Sequence, residues 1–227
     1  MQIPPFKNQS CTDCTGRAEN ADIDQVLSDI LSKADTDLIS QSVKDKFQKV
    51  SQSVKGYFSY PTGTEAMLEL GYDPDVVHSL GEEVTSFFCG TGNPFLMYED
   101  AGNVRALDVG CGAGIDTFYA ARLFGDGSRV CGVDLSADMI TRAQNSALAG
   151  ELSVDFFVGS AEDLPFDTGE FSHVFTNSAL NLVVDKGQAL SEAFRVLEEG
   201  GTLYVVDQIL KHGVSISADE IVSSWMN

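Results

Sequence analysis

Positive charge is scarce in this 227-residue sequence: 14 Lys and Arg stand against 34 Asp and Glu, a net charge of −20. Such a field repels phosphate backbones and anionic lipid, so neither nucleic acid nor a membrane surface is an expected partner. No apolar run approaches the ~18 residues of a membrane span. The opening stretch, MQIPPFKNQS, has neither the basic region nor the apolar core of a secretion signal. The five cysteines are odd in number and scattered, which excludes a complete disulfide framework and suits the reducing cytoplasm. What remains is ordinary for a soluble globular chain: 43% apolar and 21% charged residues, long enough to bury a core without staples.

The chain divides into three textures. Residues 1–21 hold Pro4, Pro5, Cys11, Cys14 and Gly16 with few large apolar side chains, and read as a flexible leader. Residues 22–98 read as an N-terminal helical cap. Asp22 is placed to cap a helix with Ile23, Val26, Leu27, Ile30 and Leu31 on one face. A second helix is expected from about Asp37 to Val54, with Leu38, Val43, Phe47, Val50 and Val54 as its apolar stripe. Short helices follow near Glu65–Leu70 and Asp75–Leu80, punctuated by Gly71 and Pro74, and Cys89–Pro94 is a loop.

Residues 99–227 change rhythm to strand, helix, strand, helix. Strands are expected at 104–109, 129–134, 154–158, 173–176 and 202–207, with helices at 115–124, 137–148 behind Ser136, and 186–197. This alternation implies parallel βαβ units, hence an α/β architecture with a doubly wound, mostly parallel sheet.

Function is carried by Asp108-Val109-Gly110-Cys111-Gly112-Ala113-Gly114, directly after the first strand and opening the first helix. Glycines there let the backbone turn tightly and approach a ligand, while the helix N-terminus behind them offers free N–H groups. Twenty residues past Gly114, Asp134 ends the second strand, where a carboxylate can accept both hydroxyls of a ribose. The alternating glycines do not match the GxGxxG spacing usual for a dehydrogenase.

These residues resemble the class I methyltransferases, which bind S-adenosylmethionine on a Rossmann-like sheet. The resemblance covers about residues 104–208 and rests on Leu107–Gly114, Gly132–Ser136, Gly159–Phe166, and Arg195-Val196-Leu197 ahead of Gly200-Gly201. It implies that Asp108, Gly110, Cys111 and Gly112 line the methionine end of the cofactor. Asp134 would hold the ribose, Leu135 would pack on the adenine, and Ala161 and Glu162 would face its edge. Phe88 is expected to close over the methionine end, and Asn177 to border the methyl group. His173 reads as structural. The resemblance further implies in-line displacement at the methyl carbon, with a small molecule as acceptor.

A narrower resemblance, to the arsenite methyltransferases, lies in Leu70-Gly71-Tyr72, Gly90-Thr91-Gly92-Asn93-Pro94 and Asn177–Lys186. In that family cysteine thiolates bind trivalent arsenic, whose lone pair attacks the methyl group; a soft centre needs soft ligands. This chain departs at the thiols. Thr91 stands where the family has Gly-Cys-Gly, Ser178 where it has Ser-Asn-Cys, and no cysteine lies near Tyr60-Pro61-Thr62. Cys89 is the candidate replacement, with the Cys11–Cys14 pair as a second source of thiols. Cys111 and Cys131 read as a cofactor-loop residue and a strand-core residue. The chain is also expected to be C-terminally short, because only residues 208–227 follow the fifth strand, with a short helix expected over Ser217–Met226. Three functions stand open: methyl transfer to trivalent arsenic or a related soft acceptor, methyl transfer to a small organic acceptor, and cofactor binding without activity.

Overall fold

The strands β1 (Arg105–Val109), β2 (Arg129–Asp134), β3 (Val154–Val158), β4 (Phe171–Asn177) and β5 (Leu197–Val206) form one sheet. Its order is β3-β2-β1-β4-β5, and every neighbouring pair is parallel. This is the computed structural model of the chain, and it describes residues 33–98, 102–150 and 153–208. The central strands are buried on both faces, as parallel strands covered by helices must be: Ala106, Leu107, Asp108 and Val109 of β1 are all inaccessible, as are Val130, Cys131 and Val133 of β2.

Seven α-helices are described: α1 (Lys33–Val50), α2 (Gly63–Glu69), α3 (Pro74–Leu80), α4 (Glu82–Thr85), α5 (Ile115–Phe124), α6 (Ala137–Ala149) and α7 (Lys186–Val196). On one face of the sheet, Phe118 and Tyr119 of α5 and Met139, Ile140 and Ala143 of α6 pack with Val50, Met67, Tyr72, Val77 and Phe88. The N-terminal helices therefore share a core with the sheet. On the other face, Ala193 and Val196 of α7 cover Leu107, Val109, Cys131, Val133 and Val174. Among the described residues, no helix is long and apolar enough to cross a membrane.

Several boundaries differ from the sequence pattern. Helix α1 spans Lys33–Val50 rather than Asp37–Val54, and Leu38 is 47% exposed while its neighbour Ile39 is buried. Further along, the expected stripe holds: Val50 is buried and Phe47 packs against the core, so the departure is confined to the first turns. Ser51 ends the helix by turning its hydroxyl onto Gln48 O at 2.7 Å, so Val54 reaches the core from a turn. Strand β5 starts at Leu197, which pairs with Phe171 before a register shift carries the ladder past Gly200 to Thr202 opposite His173. The glycines that hide this bulge in the sequence are what make it possible: Gly200 has φ +82°. The expected helices at Asp22 and Ser217–Met226 and the Cys11–Cys14 pair lie outside the described residues.

Local chemistry fixes the helix starts. Asp73 caps α3 by accepting from Asp75 N at 2.8 Å and Val76 N at 3.2 Å, with Pro74 at the first helical position. Its own N–H donates to Tyr119 Oη at 2.9 Å, tying the cap to α5. Replacing Asp73 with alanine is expected to lower stability by about 1 kcal/mol. Thermal melts should show this as a fall of about 2–4 °C.

Candidate functional site

Because β1 is flanked by β2 and β4, the chain leaves the strands in opposite directions at their C-terminal ends, and a crevice opens there. The crevice is a cavity of about 250 Å³. Its walls are the β1–α5 turn, the end of β2, the segment after β3, the segment after β4, and α1 with the 87–90 loop as a roof. The candidate cofactor-binding and catalytic residues all lie on this wall: Phe88, Cys89, Asp108, Gly110, Cys111, Gly112, Asp134, Leu135, Ala161, Glu162 and Asn177.

The glycine turn works as its spacing suggests. Gly110, with φ +77°, lies so close to the segment after β4 that a Cβ there would sit 2.2 Å from the Ala179 methyl. Gly112, with φ +53°, has nothing within 4 Å of the place a Cβ would take, so its backbone faces open cavity. Asp134 holds this turn: its Oδ2 accepts from Gly112 N and its Oδ1 from Ser136 N, each at 2.8 Å. Each carboxylate oxygen keeps a free lone pair for a ligand hydroxyl.

Three carboxylates converge on the cavity. Asp108 is 2% exposed and accepts from Thr117 Oγ1 at 2.7 Å. Burial, and then the charge of Asp116, hold its carboxyl well above the usual range. Asp116 accepts from Tyr72 Oη at 2.7 Å and Asn177 Nδ2 at 2.9 Å; burial pushes it up to about 6, against the lowering effect of those bonds. Burial also raises Asp134, moderated by the two backbone N–H groups. Among the described residues none of the three pairs with a cation. Buried carboxylates held this way favour a cationic ligand, whose arrival stabilises the charged form.

Asn177 is held by the protein itself. It lines the cavity, yet its amide is fully engaged: Nδ2 donates to Gly92 O at 2.8 Å and to Asp116, and Oδ1 accepts from Thr91 N at 3.0 Å. It ties the 91–92 loop and β4 to the carboxylate cluster. Glu162 is likewise engaged, its Oε1 accepting from Asp185 N at 2.8 Å at the start of α7. Phe88 is buried against Tyr72, ring centroids 5.4 Å apart at 75°. Cys89 is half-buried, and burial, with Asp134 and Asp116 nearby, pushes its thiol up to about 12. Cys131 lies in the core beneath the sheet, away from the cavity. His173 stacks on Tyr204 with centroids 6.0 Å apart, at the opposite end of β4 from the cavity.

Sequence reasoning passed over Asp116, and named Tyr72 only within the Leu70-Gly71-Tyr72 resemblance, with no role. The signal for Asp116 was present, an acid in the first turn of α5 two residues past Gly114. Tyr72 carries no such signal, because its hydroxyl meets Asp116 only through the tertiary fold. The structure also brings together two residues noted separately. Thr91 Oγ1 and Ser178 Oγ lie 2.5 Å apart, hydroxyl to hydroxyl, and Thr91 N donates to Ser178 Oγ at 3.0 Å. Ser178 adopts φ +60°, a left-handed conformation uncommon outside glycine and found at functional turns.

Comparison with known proteins follows the same outline. Residues 106–201 match the family described as a methyltransferase domain. An arsenite methyltransferase from Halobacterium salinarum is 32% identical over 155 residues, covering 68% of this chain and 39% of that protein. An arsenite methyltransferase from Mus musculus is 28% identical over 184 residues, covering 76% of this chain and 48% of that one. The crystal structure of an arsenic(III) S-adenosylmethionine methyltransferase from Chlamydomonas reinhardtii superposes with a TM-score of 0.50 at 30% identity, over 65% of this chain and 50% of that chain. The chain thus spans half or less of the length of each of these relatives.

Proposed function

We propose that this chain, related to the class I S-adenosylmethionine-dependent methyltransferases and among them to the arsenite methyltransferases, methylates a small organic acceptor rather than arsenite. The cavity suits the cofactor. Its open glycine backbone leaves room for a ligand, Asp134 keeps lone pairs for a ribose, and buried carboxylates face a molecule carrying a sulfonium and an ammonium. In this reading Asp108, Gly110, Cys111 and Gly112 line the methionine end, Leu135, Ala161 and Glu162 the adenine end, and Phe88 excludes water.

When bound, S-adenosylmethionine supplies an activated methyl group that leaves its sulfur as a neutral thioether. The protein's part is orientation and desolvation, and the proton that an organic acceptor's hydroxyl or amine gives up on taking the methyl group passes to water. Asp116 and Asp108 set the cation, and Asn177 fixes the loop that meets the acceptor. Asn177 is therefore a positioning residue in this reading, and Cys89 a wall of the cavity.

The choice of acceptor rests on the Thr91–Ser178 contact. These are two of the positions where the arsenite family has thiols, and here two hydroxyls face each other at 2.5 Å. Hydroxyls are hard, weakly acidic ligands and do not replace thiolates on soft arsenic. Cys89 lines the cavity with its proton held tightly, which disfavours the thiolate that arsenic needs.

The test is methylation and binding of arsenite by the wild-type chain and by two variants. The wild type is expected to bind S-adenosylmethionine with an affinity indifferent to arsenite. The Thr91→Cys/Ser178→Cys double variant places two sulfurs where two oxygens now touch and should gain arsenite binding by about tenfold or more. Arsenite methylation by the wild type that Cys89→Ser abolishes would overturn the organic reading in favour of arsenic.

A further inference from the structure

Cations are few in this chain, 14 against 34 acids, and the close ion pairs Arg105–Glu198, Arg129–Glu170 and Arg195–Glu192 use arginine. Two lysines of α1, Lys44 and Lys46, lie on the cavity wall, and Lys46 is the one that packs on a ring. It is half-buried, it lines the cavity, and among the described residues it forms no ion pair. Its ammonium instead sits 5.8 Å from the centroid of the Phe58 ring. Its charge reaches into the site far enough to oppose the rise of the Cys89 thiol. With acids in such excess, an ammonium that packs on a ring inside a cavity, instead of pairing at the surface, is placed to meet an incoming anion.

The same wall is aromatic. Phe47, Phe58, Tyr60 and Phe87 line it, with Phe58 and Tyr60 centroids 5.3 Å apart. Tyr60 is fixed by donating its hydroxyl to Cys89 O at 2.9 Å, so its ring is presented to the cavity as a surface. Across from the roof, the segment after β4 contributes Asn181, whose backbone N–H donates to Asp207 Oδ2 at 2.9 Å. Its side-chain Oδ1 is buried with no hydrogen-bond partner among the described residues, and the residue lines the cavity. Buried acceptors of this kind are normally answered; Oδ1 is closed to solvent here, so a ligand in the cavity reaches it by a turn of the Asn181 side chain.

Cation, rings and orphan acceptor together specify a ligand. We propose that the methyl acceptor is a small planar acid: its anionic end meets Lys46, its ring lies against the Phe58 and Tyr60 wall, and a hydroxyl or amine donates to Asn181 Oδ1. This rests on the organic-acceptor reading above and gives it a chemical class. The carboxylates Asp108, Asp116 and Asp134 then serve the cationic cofactor, while Lys46 serves the anionic acceptor.

The experiment measures binding without turnover. The full chain is first titrated with S-adenosylhomocysteine, in the wild type and each variant. Absence of that binding would strike at the cofactor reading, and is thereby told apart from failure of the acceptor proposal. The saturated protein is then titrated with 4-hydroxybenzoate, 4-hydroxybenzamide, benzoate and acetate. We expect 4-hydroxybenzoate to bind about tenfold tighter than the uncharged amide, and tighter than acetate, which lacks the ring. Lys46→Met should erase the preference for the acid over the amide, and Lys46→Arg should restore it. Asn181→Leu should erase the preference for 4-hydroxybenzoate over benzoate. Equal binding of acid and amide by the wild type would overturn the proposal. So would a Lys46→Met variant that keeps the preference while its Cys89 reacts more slowly with iodoacetamide, since Lys46 would then serve the thiol.

Discussion

Replacing Asp116 with asparagine is expected to stabilise the ligand-free protein at pH 8 while weakening its hold on S-adenosylmethionine. Burial raises the Asp116 carboxyl from 3.8 to about 6 in the folded chain. The folded state therefore binds the proton more tightly than the unfolded state does. Its contribution is fully present below the unfolded value and is lost as pH rises through the folded one. At pH 8 the ionised group costs about 3 kcal/mol relative to low pH. Asparagine removes that cost and fits the same contacts. Its Oδ1 can accept from Asn177 Nδ2, and its Nδ2 can donate to Tyr72 Oη, whose proton then goes to Gly92 O at 3.1 Å. Thermal melts at pH 5 and pH 8 should show a smaller difference in the variant, with the gain at pH 8. Calorimetry should show affinity for S-adenosylmethionine reduced by roughly tenfold or more, as removal of one charge close to a cation predicts. In the wild type, binding at pH 6 should release protons, because the cation favours the ionised carboxyl. A variant less stable at pH 8, with the pH dependence of the wild type, would show that the carboxylate is not the source.

The opposition between stability and binding extends beyond one residue. Asp108 and Asp134 are raised in the same direction, and Ser178 holds a left-handed backbone beside them. The cavity is thus the part of the fold where charge and backbone strain are concentrated, while the shared cores on both faces of the sheet supply the compensating burial. Tyr72 and Asn177 bind the strained elements to one another. Through them the 91–92 loop, the start of α5 and the end of β4 form one hydrogen-bonded unit.

The parts of this site that sequence discloses are those whose chemistry is local. The glycine turn announces itself because a tight loop between strand and helix needs residues without Cβ, and Asp134 because it follows at the end of the next strand. The parallel sheet is legible for the same reason: alternating elements of these lengths close into parallel units in few ways. Helix α1 was less legible, because Leu38 and Ile39 are equally apolar and only the position of the sheet decides which one is buried. The Asp116–Asn177–Tyr72 contacts span 61 and 105 residues of sequence, and no local pattern requires them. The Thr91–Ser178 contact spans 87. From sequence these two positions show only missing thiols. Their mutual contact in the structure turns two separate departures into one altered ligand pair.

Asp134→Ala is expected to produce the largest loss of cofactor affinity, and the form of that loss tests its proposed role. The carboxylate does two things at once. It accepts from Gly112 N and Ser136 N, fixing the glycine turn and the start of α6, and its remaining lone pairs face the cavity. If both ribose hydroxyls donate to it, removal forfeits two charge-assisted hydrogen bonds at about 1.5–3 kcal/mol each, which is a hundredfold or more in affinity. Removal also leaves two amides without their acceptor, so stability should fall by a further ~1–3 kcal/mol. The two effects separate by ligand choice. Adenosine and 2′-deoxyadenosine should differ by about tenfold or more for the wild type and bind the alanine variant almost equally, because the variant has nothing left to read the hydroxyl. If the variant instead keeps the wild-type discrimination while losing only stability, Asp134 braces the glycine turn and some other group reads the ribose.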